Sequence, residues 1–101
     1  MHLYSKKTIQ DYCIKYADAK NQLLFWAKDV KDAKWKTPKD IKNEDAAASF
    51  VGDSRVVFNV KGNKYRLIAD INYEKGWVFV IRFLTHAEYD KIDVATISAE
   101  N

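Results

Sequence analysis

His86 is one of two histidines in the chain, and Tyr89 follows it three positions later. Ahead of them, in a stretch rich in β-branched and aromatic residues, lie the cations Arg55, Lys61, Lys64, Arg66 and Arg82. An imidazole takes up and releases protons around neutrality, and fixed guanidinium and ammonium charges stabilise negative charge that grows on phosphorus. If these side chains converge, the chemistry they suit is RNA cleavage without a metal. The ribose 2′-OH attacks the adjacent phosphorus, a base removes its proton, and an acid protonates the leaving 5′-oxygen.

Whether they converge depends on the elements that carry them. The first half of the chain has helical period. A short opening strand, His2 to Tyr4, is followed by a helix that Ser5 can cap, running to about Tyr16, with Ile9, Tyr12, Cys13 and Tyr16 at helical spacing. Asp18 is expected to cap a second helix through about Ala33, whose stripe is Leu23, Trp26, Ala27, Val30 and Ala33. Pro38 opens one further turn over Lys39 to Asn43. Glu44 to Ser49 is a connector of undefined shape. Three strands follow, Arg55 to Lys61, Lys64 to Tyr73 and Trp77 to Leu84.

The turns set the register. Gly62-Asn63 suits a two-residue hairpin, which pairs Asn59 with Arg66, Val57 with Ile68 and Arg55 with Asp70. Glu74-Lys75-Gly76 suits a three-residue loop, which pairs Tyr73 with Trp77, Ala69 with Ile81, Ile68 with Arg82 and Arg66 with Leu84. One face then carries Val56, Phe58, Val60, Tyr65, Leu67, Ala69, Ile71, Tyr73, Trp77, Phe79, Ile81 and Phe83 and must be covered by the helices. The other carries Arg55, Asn59, Lys61, Lys64, Arg66 and Arg82 among a few aliphatics. Thr85-His86-Ala87-Glu88 has the spacing of a capping box, opening a short helix to about Ile92, and residues 94–101 read as a frayed tail. His86 is thereby expected near Lys64 and Arg66, with Arg82 diagonal to Arg66 and Tyr89 leaning toward the same spot. The fold class is α+β: two N-terminal helices on a mainly antiparallel sheet, made of the opening strand and a three-stranded C-terminal meander, with a short C-terminal helix.

Composition agrees with one folded domain spanning residues 1–101, since 48% of residues are apolar and glycine and proline are few. The lone Cys13 reads as a buried filler in a reducing compartment, and no cysteine or histidine spacing suggests a metal. No secretory leader or membrane span is visible, so a cytoplasmic protein without cofactor is expected. A net charge of +3 permits nucleic-acid contact without requiring it.

The run from Ser54 to Asp93, and above all VVFNVKGNKYRL and THAEYDKID, resembles the HigB family of toxin-antitoxin mRNA interferases within the RelE/ParE-like superfamily. The connector Ala33 to Lys42 is similar as well. The resemblance implies a RelE-like fold and cleavage of mRNA, usually in translating ribosomes. It also implies a helix-turn-helix, HigA-like antitoxin that neutralises the toxin and represses the operon, so that DNA is reached only through that partner. Carried over by position, Arg66 and Arg82 become phosphate and transition-state stabilisers, and His86 and Tyr89 the proton carriers. From their place on the basic face, Lys61, Lys64 and Arg55 are the candidate RNA contacts. The sequence departs from the family in one place: Leu84 alone separates Arg82-Phe83 from Thr85-His86, where one more residue is common.

Plainer readings stand beside these. Arg55 can form a cross-strand ion pair with Asp70, Lys61 and Lys64 can be solvated charges at a turn, and Arg66 and Arg82 can be a solvated face. Trp26, Trp35 and Trp77 read as core, not as a platform for bases. Two other classes of function remain open: a related scaffold that inhibits a protein target such as gyrase, and a nucleic-acid-binding module without cleavage, whose affinity would fall steeply with salt.

Overall fold

The computed structural model describes residues 1–4 and 6–99, so the expected cap at Ser5 lies outside the described residues. Strand β1 (His2–Tyr4) leads into α1 (Lys6–Lys15), a 3₁₀ turn (Ala17–Ala19), α2 (Lys20–Asp32) and α3 (Pro38–Glu44). Strands β2 (Ser49–Val51), β3 (Arg55–Val60), β4 (Tyr65–Asn72) and β5 (Trp77–Thr85) follow, then the one-turn α4 (His86–Tyr89). The sheet has five strands in the order β1-β5-β4-β3-β2, antiparallel except where β1 lies parallel to β5. Strand β2 lies in and beyond the stretch expected to be a shapeless connector; it pairs antiparallel with β3, Phe50 opposite Val56.

α1 and α2 cover one face, where Ile9, Tyr12, Leu23, Ala27 and Val30 meet Val56, Phe58, Leu67, Ala69, Val78, Val80 and Phe83. α3 starts as its sequence directs: the Thr37 side chain accepts from the Asp40 backbone N–H, the Asp40 carboxylate accepts from that of Thr37, and Pro38 takes the first position. Asp18 does not cap α2, whose N-cap is Ala19 with no side-chain bond. Its carboxylate turns instead to the β3–β4 hairpin.

That hairpin forms as expected, with Gly62 at φ +65°, the Lys64 N–H donating to the Lys61 carbonyl at 3.2 Å, and Asn59 opposite Arg66. The next turn begins one residue earlier than expected. The Asn72 side chain accepts from the Lys75 N–H at 2.8 Å and its carbonyl from the Gly76 N–H at 2.9 Å, so Asn72, not Tyr73, pairs with Trp77. The surplus residue is absorbed at a bulge: Ile68 pairs with Arg82 but Ala69 with Val80, leaving Ile81 without a ladder partner. On the N-terminal side of the bulge the alternation is reversed. Val78 and Val80 enter the helix-covered core, whereas Trp77 and Phe79, assigned there from alternation, face outward, and Ile81 joins the opposite face.

That opposite face has its own apolar layer. Val57, Ile68, Ile81 and Leu84 are buried beneath Val51, Tyr89, Ile92, Val94, Ile97 and Ala99. Residues 94–99, expected to belong to a frayed tail, form with Ile92 and Asp93 a strap across the sheet. Apolar side chains at 92, 94, 97 and 99 supply its grip, and the covered Val57 and Ile68 are left only 2% and 0% exposed.

Candidate active site

Arg66 is the buried charged residue among those described, 9% exposed. Burying a charge is costly unless it is bonded. One guanidinium nitrogen donates to the backbone carbonyls of Asn63 at 3.1 Å and Tyr65 at 3.2 Å, another to the Asn63 side-chain oxygen at 3.3 Å, and the Tyr89 ring lies 5.7 Å from its carbon. Among the described residues no carboxylate comes within ion-pair distance. A planar cation is thus fixed by neutral acceptors and an aromatic face, with its charge uncompensated, and a phosphate oxygen is a natural counter-ion for it.

His86 opens α4, held by Thr85. The Thr85 side chain accepts from the Glu88 backbone N–H, and the Glu88 carboxylate accepts from that of Thr85, which holds the Glu88 carboxyl below its ordinary value. The His86 backbone N–H donates to the Lys64 carbonyl at 3.0 Å, anchoring α4 beside the strand that carries Arg66. Its ring is about half exposed, and Nδ1 lies 3.0 Å from an Asp90 carboxylate oxygen, which leaves Nε2 as the other nitrogen for proton transfer. Arg82 is diagonal to Arg66 on the same face through the pairs Ile68–Arg82 and Arg66–Leu84, and its Nε donates to the Ser98 carbonyl of the strap at 3.0 Å.

The structure therefore brings Arg66, Tyr89 and His86 to one corner, with Arg82 one row away under the strap. It engages the other cations elsewhere. Lys61 and Lys64 reach the Asp18 carboxylate, joined there by the Tyr65 hydroxyl at 2.7 Å. Hydrogen bonds from Lys64 and then Tyr65 hold the Asp18 carboxyl far below the ordinary carboxylate range, and the same contact raises Lys64. Only the Lys64 backbone, not its ammonium, sits against His86. Arg55 pairs with Asp70 at 3.2 Å and donates to the Val94 and Ile97 carbonyls, so it anchors the strap. No group of three or more His, Cys, Asp or Glu suited to a metal ion occurs among the described residues.

The sequence model of the HigB toxin family, described as a RelE-like toxic component of a toxin-antitoxin system, matches residues 19–92. The chain belongs to the HigB toxin family. It is similar to the mRNA interferase toxin HigB of Escherichia coli strain K12, 29% identical over 92 residues that cover 89% of this chain and 88% of that protein. It is also similar to the mRNA interferase HigB of E. coli O6:H1, 30% identical over 94 residues and 91% of each chain. The HigB match includes every residue of the Arg66 corner, and it ends where the strap begins. Two members of this corner escaped sequence reasoning. Asn63 was read only as a turn residue, although its position three before Arg66 at a hairpin end is the available signal. Asp90 was given no role beyond its place in the THAEYDKID motif, although i,i+4 spacing from His86 on a helix places them together.

Proposed function

We propose that this HigB-family chain is an mRNA interferase, an endoribonuclease that cuts the strand by 2′-OH attack with side chains carrying the protons. The observation that carries the reading is the buried Arg66 guanidinium, locked by Asn63 and Tyr89 and lacking a carboxylate among the described residues. Such a charge is preorganised for the dianionic phosphorane and needs no rearrangement when charge develops there. Arg82 adds a second guanidinium on the same face once the strand displaces its strap contact. His86 and Tyr89 carry the protons, His86 through Nε2, and no metal enters the scheme. Lys61, Lys64 and Arg55, occupied in scaffold contacts, act on RNA as long-range positive charge.

The similar proteins named mRNA interferase support the substrate class. The same reading proposes a cytoplasmic toxin that meets mRNA on translating ribosomes. A helix-turn-helix, HigA-like antitoxin holds it in check, with DNA engaged only through that partner. No helix among the described residues is long and apolar enough to cross a membrane.

The test is induction of the chain alone in a bacterial host, with new RNA 5′ ends mapped across the transcriptome, beside Arg66→Ala and His86→Ala. Each substitution should lower cleavage about 100-fold while the antitoxin still binds. New ends inside reading frames that vanish in both variants are the expected result. Growth arrest without new ends would replace the reading with inhibition of a protein target.

A further inference from the structure

Beyond the bulge, on the face that carries Arg82, three aromatic rings meet and a fourth, that of Phe79, belongs to the residue in register with Tyr4. His2 pairs with Trp77 and Tyr4 with Phe79 across β1 and β5, and residues paired in register share a face. The residues between them, Leu3 and Val78, point into the core at 2% and 0% exposure, whereas Tyr4 is 46% and Phe79 39% exposed. The His2 and Tyr4 ring centroids are 4.3 Å apart and those of Tyr4 and Trp77 6.0 Å, both edge-to-face, so the rings fix one another's orientation. The edge strand that supplies two of them is tethered: the Met1 ammonium donates to the carbonyls of Val30, Lys31 and Ala33 at 3.1, 3.2 and 2.7 Å. An exposed apolar cluster held in place in this way has a cost that function must offset.

We infer that His2, Tyr4, Trp77 and Phe79 form a stacking subsite for bases of single-stranded RNA, on the same sheet face as the guanidinium of Arg82. Three features favour RNA over an apolar peptide. The patch consists of flat rings without an aliphatic member, and three of the four carry a polar atom able to meet a base edge. Every base offers a π face to such rings, whatever its sequence. Phe79 and Arg82 lie on one strand and one face, about 10 Å apart along it at the ordinary rise per residue. A single strand of RNA can thus place a base on the rings while its backbone passes the cation. The inference rests on the ribonuclease reading and adds to it a determinant of where the strand lies, separate from the groups that move protons.

The test uses the full chain carrying His86→Ala to prevent cutting, and a fluorescent single-stranded RNA at fixed salt. Tyr4→Leu and Phe79→Leu keep apolar bulk but remove the π face, and each should weaken binding about tenfold, whereas Tyr4→Phe should not. A second measurement leaves the rings intact and replaces single nucleotides by abasic ones. One position should lose affinity about tenfold with Phe79 present and little in Phe79→Leu. Unchanged affinity of both leucine variants, or no sensitive abasic position on the intact rings, would overturn the subsite. So would leucine variants that bind RNA normally but lose the antitoxin, since the patch would then be a protein interface. Failure of the underlying reading looks different: the wild-type chain would produce no new RNA ends in cells.

Discussion

The two halves of β5 obey the same alternation of side chains and yet serve opposite surfaces. From Arg82 to Thr85 the strand follows the register that the turns suggest, so Leu84 sits opposite Arg66 and Phe83 enters the core. From Trp77 to Val80 the phase is inverted, the valines inside and the large aromatics outside. Two small errors of registration cancel: the turn that starts at Asn72 adds a residue, and the bulge at Ile81 removes its effect. The site end thus keeps its geometry while the other end exposes a surface that an unbroken strand would have buried. A period-2 pattern specifies which residues share a face, and a single bulge decides which face that is.

Deleting Ile81 would break this comparison most directly, because one half of the strand must then present its wrong side. Either Trp77 and Phe79 turn into the core, or Arg82 and Leu84 exchange faces with Phe83. The expected result is a loss of more than about 4 kcal/mol, a large part of a domain's stability, seen as an absent or much earlier urea transition. A deletion variant that unfolds like the wild type would mean that the two halves are not locked in phase.

What holds each half gives a smaller test. The strap covers Ile81, Ile68 and Leu84 and engages Arg82, whereas the aromatic end is held by the pairing of β1 with β5. Ile97→Asp should cost about 1–2 kcal/mol by urea titration. It should raise amide exchange around Arg82 while leaving β1 and residues 77–79 unchanged. Protection lost equally at both ends would erase the distinction.

The smallest expected effect concerns acid. Asp18 ties the site-end hairpin to the helix layer, and its carboxyl is depressed in the folded protein relative to the unfolded chain. Its contribution is therefore present above the ordinary carboxylate range and drains away as pH falls through that range toward the depressed value. Asp18→Asn should flatten the dependence of stability on pH below about pH 4 without altering the neutral-pH fold. An unchanged acid limb would show that the Lys64 and Tyr65 contacts carry no linkage.

Much of this architecture is local and could be read from residue order. The helical stripes of α1 and α2, the Gly62-Asn63 turn and the Thr85 capping box follow from neighbours within a few positions, whereas the expected Arg66–Leu84 pairing holds because the shifted turn and the bulge cancel. The proximity of Tyr89 to Arg66 followed from them. What stayed hidden depends on distant partners. Asp18 looked like a helix cap because its lysine partners lie in the β3–β4 hairpin. Val94 and Ile97 looked like a tail because they grip strands far back in sequence. Trp77 looked like core because nothing in its own segment announces a bulge four residues later. The burial of Arg66, on which the functional reading rests, needs both the hairpin end and α4 in place and has no signature in its own strand.

The strap also sets an order of events during synthesis. Residues 92–99 leave the ribosome only after all five strands have emerged, and until then the outer face of the sheet, with Val57, Ile68, Ile81 and Leu84, has no cover. The emerging chain therefore passes through an interval in which its Arg82 side is open and adhesive, and docking of the strap closes it.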